Sequence, residues 1–194
     1  MDRLRAGIAL YNAGHYLAAH EPLESRWLED SARERDDCLQ GLIQATAAVY
    51  KSRTGNASGA AGLAESAIGY LTSCEAIDVE PLLEWLERLV VDPDLGTRER
   101  PPELRIDDER ITVYDLRFPA AAEAARALAE THDDAIVKAA VEYAETDLAA
   151  GTETGPFVTL TLDYVRTLDP VVRQRLTEHV QRRRMRESDV EDLF

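Results

Sequence analysis

Lysine is almost missing from this 194-residue chain: Lys51 and Lys138 are the only two, and arginine supplies the other 20 of the 22 basic residues. Against them stand 37 acids, for a formal charge of −15. A surface this acidic repels itself at low ionic strength and is relieved when abundant salt screens it. We therefore expect an acidic, halophilic protein of a salt-rich cytoplasm. The same balance makes nucleic acid an unfavourable partner, because that binding is driven by a basic surface neutralising phosphates. One stretch departs from the rule. "RQRLTEHVQRRRMR", residues 173 to 186, is dense in arginine and is followed at once by "ESDVEDLF". Adjacent blocks of opposite sign suit neutralisation within or between subunits, and a nucleic-acid contact there would run through Arg182, Arg183 and Arg184.

Other shortages narrow the field. Cys38 and Cys74 are the only cysteines, both in apolar helical stretches where cysteine ordinarily serves as a small buried hydrophobe. The expectation is two reduced thiols and a cytoplasmic location. No apolar run approaches the length of a membrane span, and no basic-then-apolar leader precedes residue 10, so no membrane partner is expected. Histidine occurs only at His15, His20, His132 and His179. There is no HExxH, phosphate loop, dinucleotide fingerprint or nucleophile elbow. No cofactor is expected on these grounds, and whether the chain is an enzyme is left open.

What is present is helix. Leu4, Ile8 and Tyr11 recur at helical spacing in "RLRAGIALYN", and "NAG" at 12 to 14 breaks it. A second helix runs from about residue 15 to 30. Pro22 interrupts it, so it either kinks there or begins near His20 with the proline in its first turn. The stretch 32–52 turns almost wholly small and apolar and should be the most buried helix, with helices at about 58–73 and 78–90 after it. These five give the expected fold class: all-α, a compact antiparallel bundle of about five helices over residues 1–92. Three prolines and dense charge mark 93–118 as a connector, with "ERITVYDLRF" as a short strand lacking an evident partner. Residues 119–194 read as a helical C-terminal extension that packs on the bundle or makes a homodimer. Within it, "GTETGPFVTLTLDYV" is ambiguous between strand and helix.

The polar residues of "AGHYLAAHEPLESRWLE", 13 to 29, are the candidate site. His20 and Glu24 are four apart and Glu21 and Glu24 three apart, so each pair shares a helical face. Imidazole and carboxylate at that spacing can ligate a transition metal, yet no third ligand is evident; His20 and Glu24 are weak metal candidates. An acid-base pair using His20, Glu21 and Glu24 is chemically feasible but lacks a nucleophile. The competing reading is a structural or ligand-binding polar cluster of Asn12, His20, Glu21, Glu24, Trp27, Gln40, Gln44 and Tyr50. In it the amides of Gln40 and Gln44, one turn apart, satisfy polar groups pointed inward by the neighbouring helix. A non-catalytic protein binding a partner or small ligand near His20, Glu24 and Gln44 is the first functional expectation, and a hydrolase-like enzyme at the same residues the second.

The run "YNAGHYLAAHEPLESRWLE", then "LQGLIQATAAVYKSRTGN", then Gly59 and Ala60 resembles the DUF309 family, small helical proteins without an established activity. The likeness covers roughly residues 5–90 and implies an all-α fold in which the His20–Glu24 stretch faces the Gln40–Gln44 helix. Pro22 departs from the family's more usual aliphatic residue. With its acidic surface and the extension past about residue 95, the chain looks like a haloarchaeal-type member. A weaker likeness to one tetratricopeptide-type helical hairpin points to protein interaction.

Overall fold

The computed structural model describes residues 1–31, 35–72, 74, 77–152 and 154–191. The chain is all-α, but the expectation of a bundle of about five helices is corrected: the described residues form ten helices and a two-stranded hairpin. They divide into two units, Met1–Leu116 and Arg117–Phe194.

The first unit holds α1 (Asp2–Ala13), α2 (Tyr16–Glu29), α3 (Asp37–Arg53), α4 (Ala57–Leu71), α5 (Glu80–Val91), the single-turn α6 (Leu95–Arg98), β1 (Arg105–Ile106) and β2 (Glu109–Arg110). Each of the first five helices packs on its neighbours in sequence, most extensively α3 on α4. α1 ends at Gly14, whose φ of 89° is the left-handed conformation that a helix stop favours in glycine. Two other glycines permit close helix approach. A Cβ on Gly7 would stand 2.5 Å from Leu23 Cγ, and one on Gly41 2.6 Å from Leu71 Cγ.

Pro22 neither breaks α2 nor sits in its first turn. The helix starts at Tyr16 and continues through it to Glu29. The buried ring removes the one N–H that would have bonded the Ala18 carbonyl. The cap of α3 is Asp36, whose carboxylate accepts from Cys38 N at 2.8 Å. The expected start at Ala32 and the expected end of the fourth helix at Ser73 fall outside the described residues.

The expectation of two reduced thiols is also corrected. Cys38, in the first turn of α3, and Cys74, just beyond α4, are joined as a disulfide with their Cα atoms 4.8 Å apart. Read singly, each cysteine looked like a core hydrophobe; the antiparallel return of α4 along α3 brings the two together.

Residues 93–116 are part of the first unit rather than spacer. Leu95, Leu104, Ile111 and Leu116 are buried. Ser52 holds α6 against α3, donating to Pro93 O at 2.6 Å and accepting from Gly96 N at 3.0 Å. The strand expected in "ERITVYDLRF" is only Glu109–Arg110, and its partner is β1, across a turn in which Asp107 and Asp108 both have positive φ. Paired positive φ values at a two-residue loop are what a twisted hairpin requires, and aspartate tolerates them. Ile77 bridges to Ile106 on the other edge.

The second unit holds α7 (Phe118–Thr131), α8 (Ala135–Ala149), α9 (Pro156–Thr167) and α10 (Pro170–Glu191). The ambiguous stretch resolves as helix α9, with Pro156 in its first turn, the position proline tolerates. Alanines of α7 and α8 form most of this core with Phe157, Leu160, Val165, Leu176 and Val180. Asp134 ties it together: it caps α8 through Ile136 N and Val137 N and accepts from Arg173 Nε at 2.6 Å. No helix among the described residues is long and apolar enough to cross a membrane.

Candidate functional site

The regular course of α2 fixes the direction of its polar residues. His20, Glu24 and Trp27 fall at i, i+4 and i+7, a single stripe. His20 Nδ1 lies 3.8 Å from Glu24 Oε2, and the two side chains are 34% and 50% exposed. The pair is therefore presented to solvent at its edge rather than locked in a core, which leaves both groups able to meet a ligand. Glu21 is exposed beside it.

One turn beyond, the indole of Trp27 is half-buried under the Arg35 guanidinium, whose carbon stands 4.2 Å from the ring centroid. A cation over an aromatic face is an attractive contact in its own right. The indole Nε1 is buried and has no acceptor among the described residues. An N–H left without an acceptor in this way carries a desolvation cost that a bound acceptor would remove.

α3 packs against α2 and carries Gln40 and Gln44, both half-buried and one turn apart, and Tyr50, also half-buried, near its end. Among the described residues no hydrogen bond joins either glutamine side chain to His20 or Glu24, and no three His, Cys, Asp or Glu side chains converge as a metal site.

Asn12 stands apart from the stripe. Its Nδ2 donates to the carbonyls of Leu104 and Ile111, both at 2.9 Å, and its Oδ1 accepts from Leu104 N at 2.8 Å. The side chain is a buried clamp at the base of the β1–β2 hairpin. Sequence reasoning missed its partners, although Leu104 and Ile111, flanking the Asp107-Asp108 pair, carried the signal of a hairpin with an inward edge. Beside the clamp lies a cavity of ≈140 Å³ lined by Tyr11, Tyr16, Arg100, Pro101, Pro102 and Glu103. Burial, and next the Tyr16 hydroxyl, push the Tyr11 phenol well above its ordinary range.

In the second unit, the middle one of the three arginines singled out for nucleic acid is held by carboxylates. Arg183 is engaged by Asp147 at 3.2 Å and Glu187 at 2.9 Å, and Glu187 also accepts from the Tyr143 hydroxyl. The acidic run after residue 186 lies partly outside the described residues.

An uncharacterized protein of Aquifex aeolicus (strain VF5) is 31% identical over 101 residues, covering 49% of this chain and 29% of that protein. The chain thus spans less than a third of the length of that curated relative, which gives no support to a haloarchaeal source. Over residues 4–63, which run from α1 into α4 and include the His20–Glu24–Trp27 stripe, the chain matches the family model DUF309, Domain of unknown function (DUF309).

Proposed function

We propose that this is a non-catalytic helical binding protein whose recognition surface is the α2 stripe of His20, Glu24 and Trp27, bordered by Glu21 and by Gln40, Gln44 and Tyr50 of α3. The observation that carries the reading is the half-exposed imidazole–carboxylate pair one turn from an indole N–H that has no acceptor among the described residues. The occupant is a partner segment or small ligand offering an acceptor to Trp27 and a donor to Glu24. Peptide and side-chain amides have that paired character, and the two glutamines add further donors and acceptors at the border. The acidic, lysine-poor composition supports operation in a salt-rich cell interior, where contacts built on hydrogen bonds and apolar surface survive screening better than ion pairs.

The test is NMR perturbation mapping of the ¹⁵N-labelled full chain with a set of small amides, carboxylic acids and imidazoles, run beside His20→Ala/Glu24→Gln. Saturable shifts centred on α2 and α3, lost in the variant, are expected. Hits confined to other surfaces would overturn the assignment. Turnover of a simple activated ester, abolished by His20→Ala, would replace it with an acid-base enzyme at the same pair.

A further inference from the structure

Three cationic or protonatable side chains share one face of α10. His179, Arg182 and Arg186 are spaced three and four residues apart, a stripe about 10 Å long at the helical rise. With Met185 and Pro156 they line an open groove of ≈590 Å³ within the second unit, the size range of small-molecule sites.

The two arginines of the groove differ from their neighbours. Arg173 and Arg183 are held by carboxylates, Asp134 for the first and Asp147 and Glu187 for the second. Arg182 and Arg186 instead lie back along the helix, each Nε donating to the carbonyl one turn earlier, Glu178 O at 3.1 Å and Arg182 O at 3.3 Å. Among the described residues neither forms an ion pair. In a chain with 37 acids and 22 bases, two adjoining guanidinium groups have terminal N–H donors with no partner among the described residues.

The imidazole at the N-terminal end of the stripe is positioned. The Phe157 ring of α9 meets His179 edge-on at 5.9 Å between centroids, and Phe157 in turn packs on Tyr143 of α8. The charged groups around His179 are Glu178, Arg182 and Arg186, all on α10. Burial first, then Arg182, hold its proton affinity below the ordinary histidine value, so an anion entering the groove would oppose that effect.

We propose that this groove binds a small phosphate-bearing anion, with a diphosphate group as the preferred head. Guanidinium forks match phosphate oxygens bidentately, and two forks one turn apart suit a group that presents oxygens to both. Met185, 66% exposed, and Pro156 form an apolar flank for an attached organic moiety. A nucleic-acid strand is the poorer occupant, because Arg183 is turned to Asp147 and Glu187 and the chain as a whole is strongly acidic.

The experiment is NMR titration of the full chain with inorganic pyrophosphate, inorganic phosphate and, as an ionic-strength control, sodium chloride. Saturable shifts at His179, Arg182 and Arg186 are expected with pyrophosphate and weaker ones with phosphate. The titration midpoint of His179 should rise when pyrophosphate is bound, a response that a purely structural histidine would not give. Arg182→Gln/Arg186→Gln should weaken binding by about tenfold or more, the scale of losing charge-assisted hydrogen bonds, while Arg175→Gln, elsewhere on α10, binds as the parent does. Absence of saturation, shifts equal to those of chloride, unchanged binding by the double variant, or binding of single-stranded RNA without pyrophosphate would each overturn the proposal.

Discussion

Asn12 and Leu104, 92 residues apart in sequence, are joined by two reciprocal hydrogen bonds: the side-chain amide of Asn12 donates to the Leu104 carbonyl at 2.9 Å and accepts from its N–H at 2.8 Å. A third bond reaches Ile111 O. The motif residue that reads as part of a binding cluster is thus the anchor of the β1–β2 hairpin. Asn12→Ala would leave the backbone groups of Leu104 and Ile111 buried without partners. We expect a loss of roughly 2–3 kcal/mol, measured by urea denaturation; a change below about 0.5 kcal/mol, the scale of a neutral surface substitution, would show that the clamp is dispensable.

Reduction of Cys38–Cys74 should destabilise the first unit. The two residues are 36 apart in sequence, and chain-entropy reasoning for a loop of that length gives about 3–4 kcal/mol. Thermal melts with and without reductant, repeated on Cys38→Ser/Cys74→Ser, check this. A midpoint insensitive to reductant in the parent would contradict it.

The close approach of α3 and α4 at Gly41 makes a second, non-covalent prediction. A methyl group there would stand 2.6 Å from Leu71 Cγ, so Gly41→Ala should cost about 1–3 kcal/mol through overpacking. In a Leu71→Ala background the same change should cost clearly less, because the obstructing side chain is gone. Additive effects of the two substitutions would remove the steric explanation.

Asp134 supplies a pH dependence of known sign. Burial would raise its pKa, but hydrogen bonds from Arg173 and from the Val137 and Ile136 backbone prevail and hold it below the ordinary 3.8. A carboxylate depressed in the folded state contributes stability that is present above its unfolded pKa and is lost as the pH falls through the folded one. The stability advantage of the parent over Asp134→Asn should therefore be full at neutral pH and shrink on acidification below about pH 4, the unfolded carboxylate range. An advantage constant down to pH 2, followed by chemical denaturation, would show that the charge is not what matters.

Helical periodicity was enough to locate α1 to α5, because each is an amphipathic or small-residue run between glycine, proline or aspartate stops; in residues 119–194 it gave a helical extension, which the structure divides into α7 to α10. Asn56, Gly59 and Ala60 were legible as a motif, and their reasons are local: Asn56 caps α4 through Gly59 N at 3.0 Å, and Ala60 is fully buried. What composition concealed is tertiary. Residues 93–116 look like a connector because their buried side chains are few and widely spaced, and only the Asn12 clamp and the Ser52 contacts show why they pack. Pro22 left two courses open, a kink within a continuing helix or a start near His20, and the start is excluded: α2 runs from Tyr16 through the buried ring to Glu29. The shared face of His20 and Glu24 was legible in their spacing, whereas the guanidinium of Arg35 over the Trp27 ring was not, because it is a contact between residues off that spacing.

The disulfide also determines what a protease would leave behind. Thr54, Gly55 and Asn56, between α3 and α4, are all exposed, so the turn is a natural place for a cut. Because Cys38 lies upstream and Cys74 downstream of that turn, a chain severed there stays one covalent molecule until it is reduced. The two fragments should separate on a reducing gel and migrate together on a non-reducing one, and the α2–α3 surface would outlast a break in the backbone beside it.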